Sequence, residues 1–484
     1  MTDVERRKWL SLALLATTQF VIVLDAAIVN VAIPSIGADL HFSEENLTWI
    51  PNAYALTFGG FLLLGGRMAD LLGRRRLFMI GLVLFSFASL LGGLSTSEAQ
   101  LIAARALQGL GAALLAPSAL SMVTNTFAEG AERNKALGVW GAVSGSGGAA
   151  GVLLGGVLTE YLGWEWVLWV NVPIGVVAAF IAPRLLEESR KEAETKTFDA
   201  LGAVTVTAGL SLLVFALVDT VNSGWSSSKT LVLLAVSAVL LTVFVATELR
   251  SRAPLVPFRI FRMRTLTGAN VVGLLVGASL FAMFFFLSRY MQQVLGYSAL
   301  KAGLSYLPLA LFIIVSAGLA SVLVTRLGFK PVLIAGLVLI SVALVWFARV
   351  PTDGSYVADL LGPMILAAIG LGMAFVPITI AAVSNISRDD SGLASGLINT
   401  SQQVGGALGL AVLGTIASTR TEHLLSDAHG APSAIKGALT DGFQLAFLTG
   451  AGFAILGIVL TLVLVRSEDS RAIVGANPAE LPMA

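Results

Sequence analysis

No cysteine occurs among the 484 residues, and histidine is limited to His41, His423 and His429. Disulfides, thiol catalysis and thiolate metal sites are therefore excluded. His423 and His429 share one polar loop, and two histidines fall short of a metal ligand set. Charge is scarce as well: 12% of residues are Asp, Glu, Lys or Arg, against about 25% in a soluble domain. The net charge of +1 is spread over short segments, so no basic surface for nucleic acid is expected. No Ser-His-Asp set, phosphate loop or metal cluster stands at a workable spacing. The chain is expected not to be an enzyme and to need no cofactor or metal.

What is abundant is apolar: 56% of residues are hydrophobic and the mean hydropathy is +0.87. Runs of about 20 apolar residues, each long enough to cross a bilayer core, recur along the whole chain. Fourteen such spans are read, the first over 10–34 and the last over 443–466. The class expected is an all-α integral membrane protein. The start, Arg6-Arg7-Lys8 before an apolar run, is like a signal peptide, but the run continues to Pro34 without a small-residue cleavage site. It reads as an uncleaved first span.

The short basic turn Gly66-Arg67-Met68-Ala69-Asp70-Leu71-Leu72-Gly73-Arg74-Arg75-Arg76 joins spans 2 and 3, and it has an echo. Gly73 and Gly81 match Gly328 and Gly336 at a spacing of 255 residues. Gly109-Leu110-Gly111 with Pro117 is echoed by Gly370-Leu371-Gly372 with Pro377, and Gly147-Gly148-Ala149-x-Gly151 by Gly405-Gly406-Ala407-x-Gly409. Three glycine landmarks in one order argue for a duplicated membrane protein. Spans 9–14 repeat spans 1–6, and spans 7 and 8 fall between. The expected units are 1–196, a six-helix bundle; 197–265, two extra spans and a basic linker; 266–466, a second six-helix bundle; and 467–484, a disordered tail.

Lys and Arg set the orientation. With the N-terminus inside, 23 of them fall at inner ends, 6 at outer ends, and Arg105 alone within a span. Both termini are thus expected on the cytoplasmic side of the cell membrane. The basic linker Arg250–Arg264, with Pro254 and Pro257, is read either as lying on the anionic inner leaflet or as a plain connection.

Polar residues inside spans mark function or tight packing. Asp25 interrupts span 1, where a charge costs roughly 2.5–3.5 kcal/mol on insertion scales. At a rise of about 1.5 Å per residue, Asp25 and Arg105 reach similar depth, so they either pair or share a water-filled cavity. Asn30, Asn399, Gln402 and Gln403 are either cavity lining or interhelical hydrogen-bonding groups. In span 5, Gly147, Gly151, Gly155 and neighbouring Gly156, together with Gly141 and Gly145, make a flat face. Such a face allows close backbone approach, whether for static packing or for rocking against a partner.

These motifs resemble the major facilitator superfamily, in its fourteen-span drug:proton antiporter branch. The inner-loop motif of that superfamily matches at Gly66, Ala69, Asp70, Gly73 and Arg74, with Arg75 in place of lysine. The span 4 motif is similar to Leu101-x3-Arg105-x2-Gln108-Gly109-x-Gly111, and the span 1 motif to Leu24-Asp25-x2-Ile28-Val29-Asn30-Val31-Ala32-Ile33-Pro34. Trp164-x-Trp166 and Asn171-Val172-Pro173-Ile174-Gly175 are similar to a signature of the same branch. The antiporter motif of span 5 departs: Val152 stands where the family has proline.

The resemblance implies two six-helix bundles rocking about a central cavity, and a proton-coupled efflux transporter of drugs or antibiotics. Asp25 would carry the proton and Arg105 would bias its protonation. Asn30, Tyr54, Gln108, Asn399, Gln402 and Gln403 would line the substrate cavity. Gly66, Asp70, Gly73, Arg74 and Arg75 would latch the inner face. Gly147, Gly151, Gly155 and Gly156 would form the antiporter packing face. A small amphipathic substrate, the lipid bilayer as partner and a monomeric state are expected, with the proton as coupling ion. An uptake symporter, or a sensor or lipid-handling protein on the same fold, remains open at this stage.

Overall fold

The computed structural model describes residues 3–42, 44–47, 49–189, 199–251, 254–384, 386–427, 434–472 and 474. Among the described residues fourteen long helices run back and forth. They are α1 (Asp3–Asp39), α2 (Trp49–Leu72), α3 (Arg74–Gly93), α4 (Glu98–Thr126), α5 (Ala131–Tyr161), α6 (Asn171–Leu185) and α7 (Ala200–Ser223). The series continues with α8 (Ser228–Glu248), α9 (Arg264–Arg289), α10 (Leu307–Leu327), α11 (Phe329–Phe347), α12 (Leu361–Val383), α13 (Ser391–Asp427) and α14 (Ile435–Leu464).

Thirteen spans in the described residues are long and apolar enough to cross a membrane. The remaining long helix, α13, has 37 residues. Its run Asn399-Thr400-Ser401-Gln402-Gln403 dilutes its apolar character, and it is held by α9, α14 and α2.

The sequence repeat is built as a structural repeat. Gly73 and Gly328 start α3 and α11 with φ of 107° and 84°, a backbone that side chains with a Cβ rarely adopt. Gly81 of α3 packs on Gly111 of α4, and Gly336 of α11 packs on Gly370 of α12. Gly111 is therefore the structural counterpart of Gly370, two residues away from the pairing that motif alignment suggests.

Helices α1–α6 form one bundle and α9–α14 the other. The extra pair α7 and α8 packs mainly on itself and on α2 and α13. The face that carries the Arg74-Arg75-Arg76 turn is called the basic face below.

Two expectations for connecting segments need correction. The linker after α8 is more than a plain connection, while its Arg259, Phe261 and Arg262 stay exposed. Its Leu255, Val256 and Ile260 are buried among Leu63, Val206, Phe244, Leu266, Leu393 and Leu397, because these apolar side chains fill a wedge between α2, α7, α8 and α13. The start of the 467–484 tail is also ordered, as a helix over Ser467–Ala472. There the Ser470 hydroxyl accepts the Lys330 N–H at the start of α11 at 2.9 Å, and Thr265 donates to Asp469. The first of these satisfies a backbone donor at a helix start that lacks an intrahelical partner. Residues 475–484, His429 and residues 190–198 lie outside the described residues.

Candidate proton site and basic-face gate

Asp25 and Arg105 meet. Arg105 Nη1 lies 2.6 Å from Asp25 Oδ2, and the two residues are 0% and 1% exposed. A buried pair survives only when its remaining hydrogen-bonding capacity is met, and here it largely is. Gln108 Nε2 and Asn171 Nδ2 each donate to Asp25 Oδ1 at 2.7 Å. Arg105 Nη1 also donates to Gln108 Oε1 at 2.6 Å, and its Nε donates to the Ile50 carbonyl at 3.2 Å. Its guanidinium stacks over the Tyr54 ring, 4.5 Å from the centroid. Ser89 Oγ accepts from both amides, at 2.9 and 3.0 Å, and donates to the Leu168 carbonyl at 2.8 Å.

The cluster sits inside the first bundle and draws on α1, α2, α3, α4 and α6. Glycines bring these helices together. Gly109 of α4 abuts the Tyr54 carbonyl and Thr57 of α2, and Gly151 of α5 abuts the backbone of Leu24 and Ile28 of α1. Added side chains at either position would push α2 or α1 off the cluster.

Tyr54 and Gln108, expected to line the substrate cavity, instead belong to this cluster. They are 3% and 0% exposed, because each is drawn inward by the Asp25–Arg105 pair. Asn30 is exposed on α1 and bonds only its own helix, at the Ala26 carbonyl. Asn399, Gln402 and Gln403 are partly exposed along α13. Asn399 likewise donates to its own helix, at Ser395.

The gate residues divide into two groups. Asp70 crosses between bundles: its carboxylate accepts the N–H groups of Gly392 and Leu393, at 3.0 and 2.9 Å. These are the first residues of α13, where a helix N-terminus favours an anion. Within its own bundle Asp70 pairs with Arg74 at 2.7 Å. Gly66 lies directly against the Gly392 carbonyl and Gly396, so α2 and α13 touch backbone to backbone.

Gly73 and Arg75 do not cross, which corrects their assignment as cross-bundle latches. Gly73 packs on Glu188, the Arg75 N–H donates to Glu188 at 3.1 Å, and Arg75 Nη1 donates to the Leu186 carbonyl at 3.2 Å. All of these partners follow α6 in the same bundle. The basic side chain that does cross is Arg67. Its Nη2 donates to the linker carbonyl of Pro254 at 3.1 Å, and its Nη1 lies 3.6 Å from Asp390. Further bonds close the same face. The hydroxyls of Ser121 and Ser391 bond at 2.7 Å, Asn125 donates to Ser391 at 2.8 Å, and Asn134 donates to Thr325 at 3.1 Å.

Helix α5 has two glycine faces. Gly147, Gly151 and Gly155 seat it on α1 inside the bundle. The face toward the second bundle is a different one, with Gly138 on Ser321, Gly141 on Val376, Gly145 on Ile313 and Gly156 on Leu300. Of the four residues expected on a single packing face, only Gly156 meets the other bundle.

Sequence reasoning named Asn171 without a role, missed Ser89 and Asp390, and named Arg67 and Pro254 without pairing them. Depth would have found the first two. Asn171 and Ser89 lie about 8–10 Å from the ends of their spans at 1.5 Å per residue, level with Arg105.

Comparison with known proteins agrees with this architecture. The sequence model of the Major Facilitator Superfamily matches residues 15–410. The chain is 43% identical to the cephamycin export protein CmcT of Amycolatopsis lactamdurans, over 94% of this chain and 92% of that protein. It is 38% identical to the puromycin resistance protein pur8 of Streptomyces alboniger, over 96% and 93%. Among solved structures, the proton:xylose symporter XylE superposes with a TM-score of 0.66 at 12% identity, covering 96% of each chain. The human organic anion transporter MFSD10 superposes with a TM-score of 0.63 at 16% identity, over 95% of this chain and 100% of that one. These two show the shared fold. With the duplicated bundles, the extra helix pair and the family match over most of its length, this chain belongs to the major facilitator superfamily.

Proposed function

We infer that the protein is a proton-driven exporter of small amphipathic antibiotics or drugs, seated in the cell membrane with its basic face and both termini inside. The observation that carries the coupling is the Asp25–Arg105 pair, 0% and 1% exposed in the interior of the first bundle. Among the described residues the interior of the second bundle has no ion pair of this kind. The export direction is supported by relatives whose names state antibiotic export and resistance.

The chemistry follows from charge. With Asp25 ionised the cluster is neutral, and three donors hold the carboxylate. Proton binding leaves Arg105 as an uncompensated cation in a dry interior, which is costly, so proton occupancy biases the bundle between arrangements. The closed basic face, held by Asp70 on α13 and by Arg67 on the linker, is the arrangement in which an outward-facing cavity would exchange proton for substrate. Opening that face would release the proton inside and admit the next substrate. The exposed Asn30 and the partly exposed Gln402 and Gln403 are the polar groups offered to the cavity.

The test uses purified protein in vesicles with an imposed pH gradient, and puromycin and a cephamycin as probes. Uphill movement of at least one probe against the proton flow is expected. Movement of all transported probes with the proton flow would make the protein a symporter. No gradient-driven flux of any probe would reject this reading.

A further inference from the structure

Every partner that Asp25 has in this arrangement is a donor: Arg105 Nη1, Gln108 Nε2 and Asn171 Nδ2. That set suits a carboxylate. A protonated Asp25 carries an O–H that needs an acceptor, and one lies beside it. Asn171 Oδ1 is buried without a hydrogen-bond partner, on a residue that is 1% exposed. An orphaned acceptor in the interior is costly and calls for an explanation.

Asn171 also borders a small void on the basic-face side of Asp25, with room for about one water molecule. Thr18, Val21 and Ile22 of α1, Leu82, Phe85 and Ser86 of α3, and Leu115 of α4 complete much of its wall. Its lining is apolar except for Asn171, Thr18 and Ser86, and Ser86 Oγ is likewise buried without a partner. Thr18 already donates to the Leu14 carbonyl at 3.0 Å, so its oxygen is left to accept. The void thus offers two hydroxyl oxygens to a donor and space in which an amide can turn.

We propose that Asn171 is a positioning residue that reads the protonation state of Asp25 by rotating its amide between two hydrogen-bond sets. With Asp25 ionised, the NH2 group donates to Asp25 and Ser89, as seen here. With Asp25 protonated, the amide turns over. Its Oδ1 accepts the carboxyl O–H, and its NH2 donates into the void toward Ser86 Oγ and Thr18 Oγ1, directly or through one water. Both settings satisfy the groups that are left open in the other. The charged and titratable groups facing Asp25 are Arg105 and, behind it, Tyr54. The faces of α3, α5 and α6 toward it present Ser89, glycines and Asn171. The switch therefore relays the protonation state of Asp25 on α1 to the start of α6, while the proton stays on Asp25. It rests on the reading of Asp25 as the proton-binding group.

Acid-minus-base infrared difference spectra of the full-length protein in lipid vesicles test it, with asparagine labelled in its side-chain carbonyl. The expected spectrum has a protonated-carboxyl band that disappears in Asp25→Asn and an isotope-shifted asparagine amide band that disappears in both Asp25→Asn and Asn171→Leu. Ser86→Val fills the void with methyl groups. It should keep the Asp25 carboxyl band, lose the amide band and slow proton-driven puromycin transport by about two- to tenfold, as loss of one hydrogen bond between uncharged groups predicts. Ser86→Val also decides the case if Asn171→Leu does not fold. A carboxyl band assigned to Asp25 without any asparagine signal, or an asparagine signal that survives in Asn171→Leu or Ser86→Val, overturns the switch. Absence of any carboxyl band sensitive to Asp25→Asn instead removes the reading of Asp25 on which the switch rests, and the switch with it.

Discussion

Removing the charge of Asp70 should loosen the basic face, and the structure sets the size of the effect. Of the hydrogen bonds that Asp70 accepts, the one from Arg74 lies within a single bundle and persists when the bundles part. The two from Gly392 and Leu393 cross to α13 and exist only while the face is closed. A hydrogen bond to a charged group contributes about 1.5–3 kcal/mol, and on opening water replaces part of that. The net bias toward the closed face is then about 1–3 kcal/mol, a shift of roughly 5- to 150-fold in population. Asp70→Asn is the cleaner variant. It leaves a hydrogen-bond acceptor for buried Arg74 and removes the charge that complements the helix N-terminus.

The absence of native cysteine makes the assay direct. Spin labels at Leu72→Cys and Ser387→Cys, both exposed on opposite sides of the gate, report the distance across the basic face. Asp70→Asn should add a longer-distance population, and Asp70→Ala a larger one. A distance distribution unchanged in both variants, with the fold intact, would refute the assignment of Asp70 as the cross-bundle latch.

Other consequences follow from packing and charge. Gly151→Ala places a methyl group about 2.7–3.1 Å from Leu24, Ala27 and Ile28 and should cost about 1–3 kcal/mol, whereas Gly148→Ala meets nothing within 4 Å. Thermal unfolding should separate the two, and equal stability would sink the account of the α1 seat. For topology, cysteines at Ser228 and Ser426 should react with an impermeant reagent from outside intact cells and one at Leu72 should not; the reverse pattern would invert the proposed orientation. Substrates should be neutral, weakly basic or anionic, because a dication needs more buried negative charge than Asp25 supplies. Resistance to dications alone in a sensitive host would contradict this.

Hydropathy made the bundles legible because a helix facing lipid must be apolar along its whole length. Depth arithmetic was enough to bring Asp25 and Arg105 to one level. It did not say what else converges there, since Gln108 and Tyr54 lie on helix faces whose rotation the sequence does not reveal. The same limit hid the division of the α5 glycines. Gly147, Gly151 and Gly155 lie at a spacing of four and read as one stripe, but only packing shows that this stripe turns inward to α1. The partners of Arg67 went unread because Pro254 and Asp390 stand far away in sequence, across a linker whose apolar residues are too few to read as a buried segment. The internal repeat located both bundles, yet its offset changes from 255 residues at Gly81 to 259 at Gly111, where matching the glycine motifs places the pairing two residues away.

The proton-coupling role of Asp25 is tested most directly by comparing two modes of transport in Asp25→Asn. Puromycin exchange between equal pH on both sides needs substrate binding and rocking of the bundles but no net proton transfer. Uphill puromycin transport under a pH gradient needs all three. Asparagine keeps the size of the side chain and most of its hydrogen bonds but cannot ionise. Exchange should therefore persist while gradient-driven accumulation is lost. Full accumulation by Asp25→Asn would place the coupling proton elsewhere and contradict the role assigned to the buried pair.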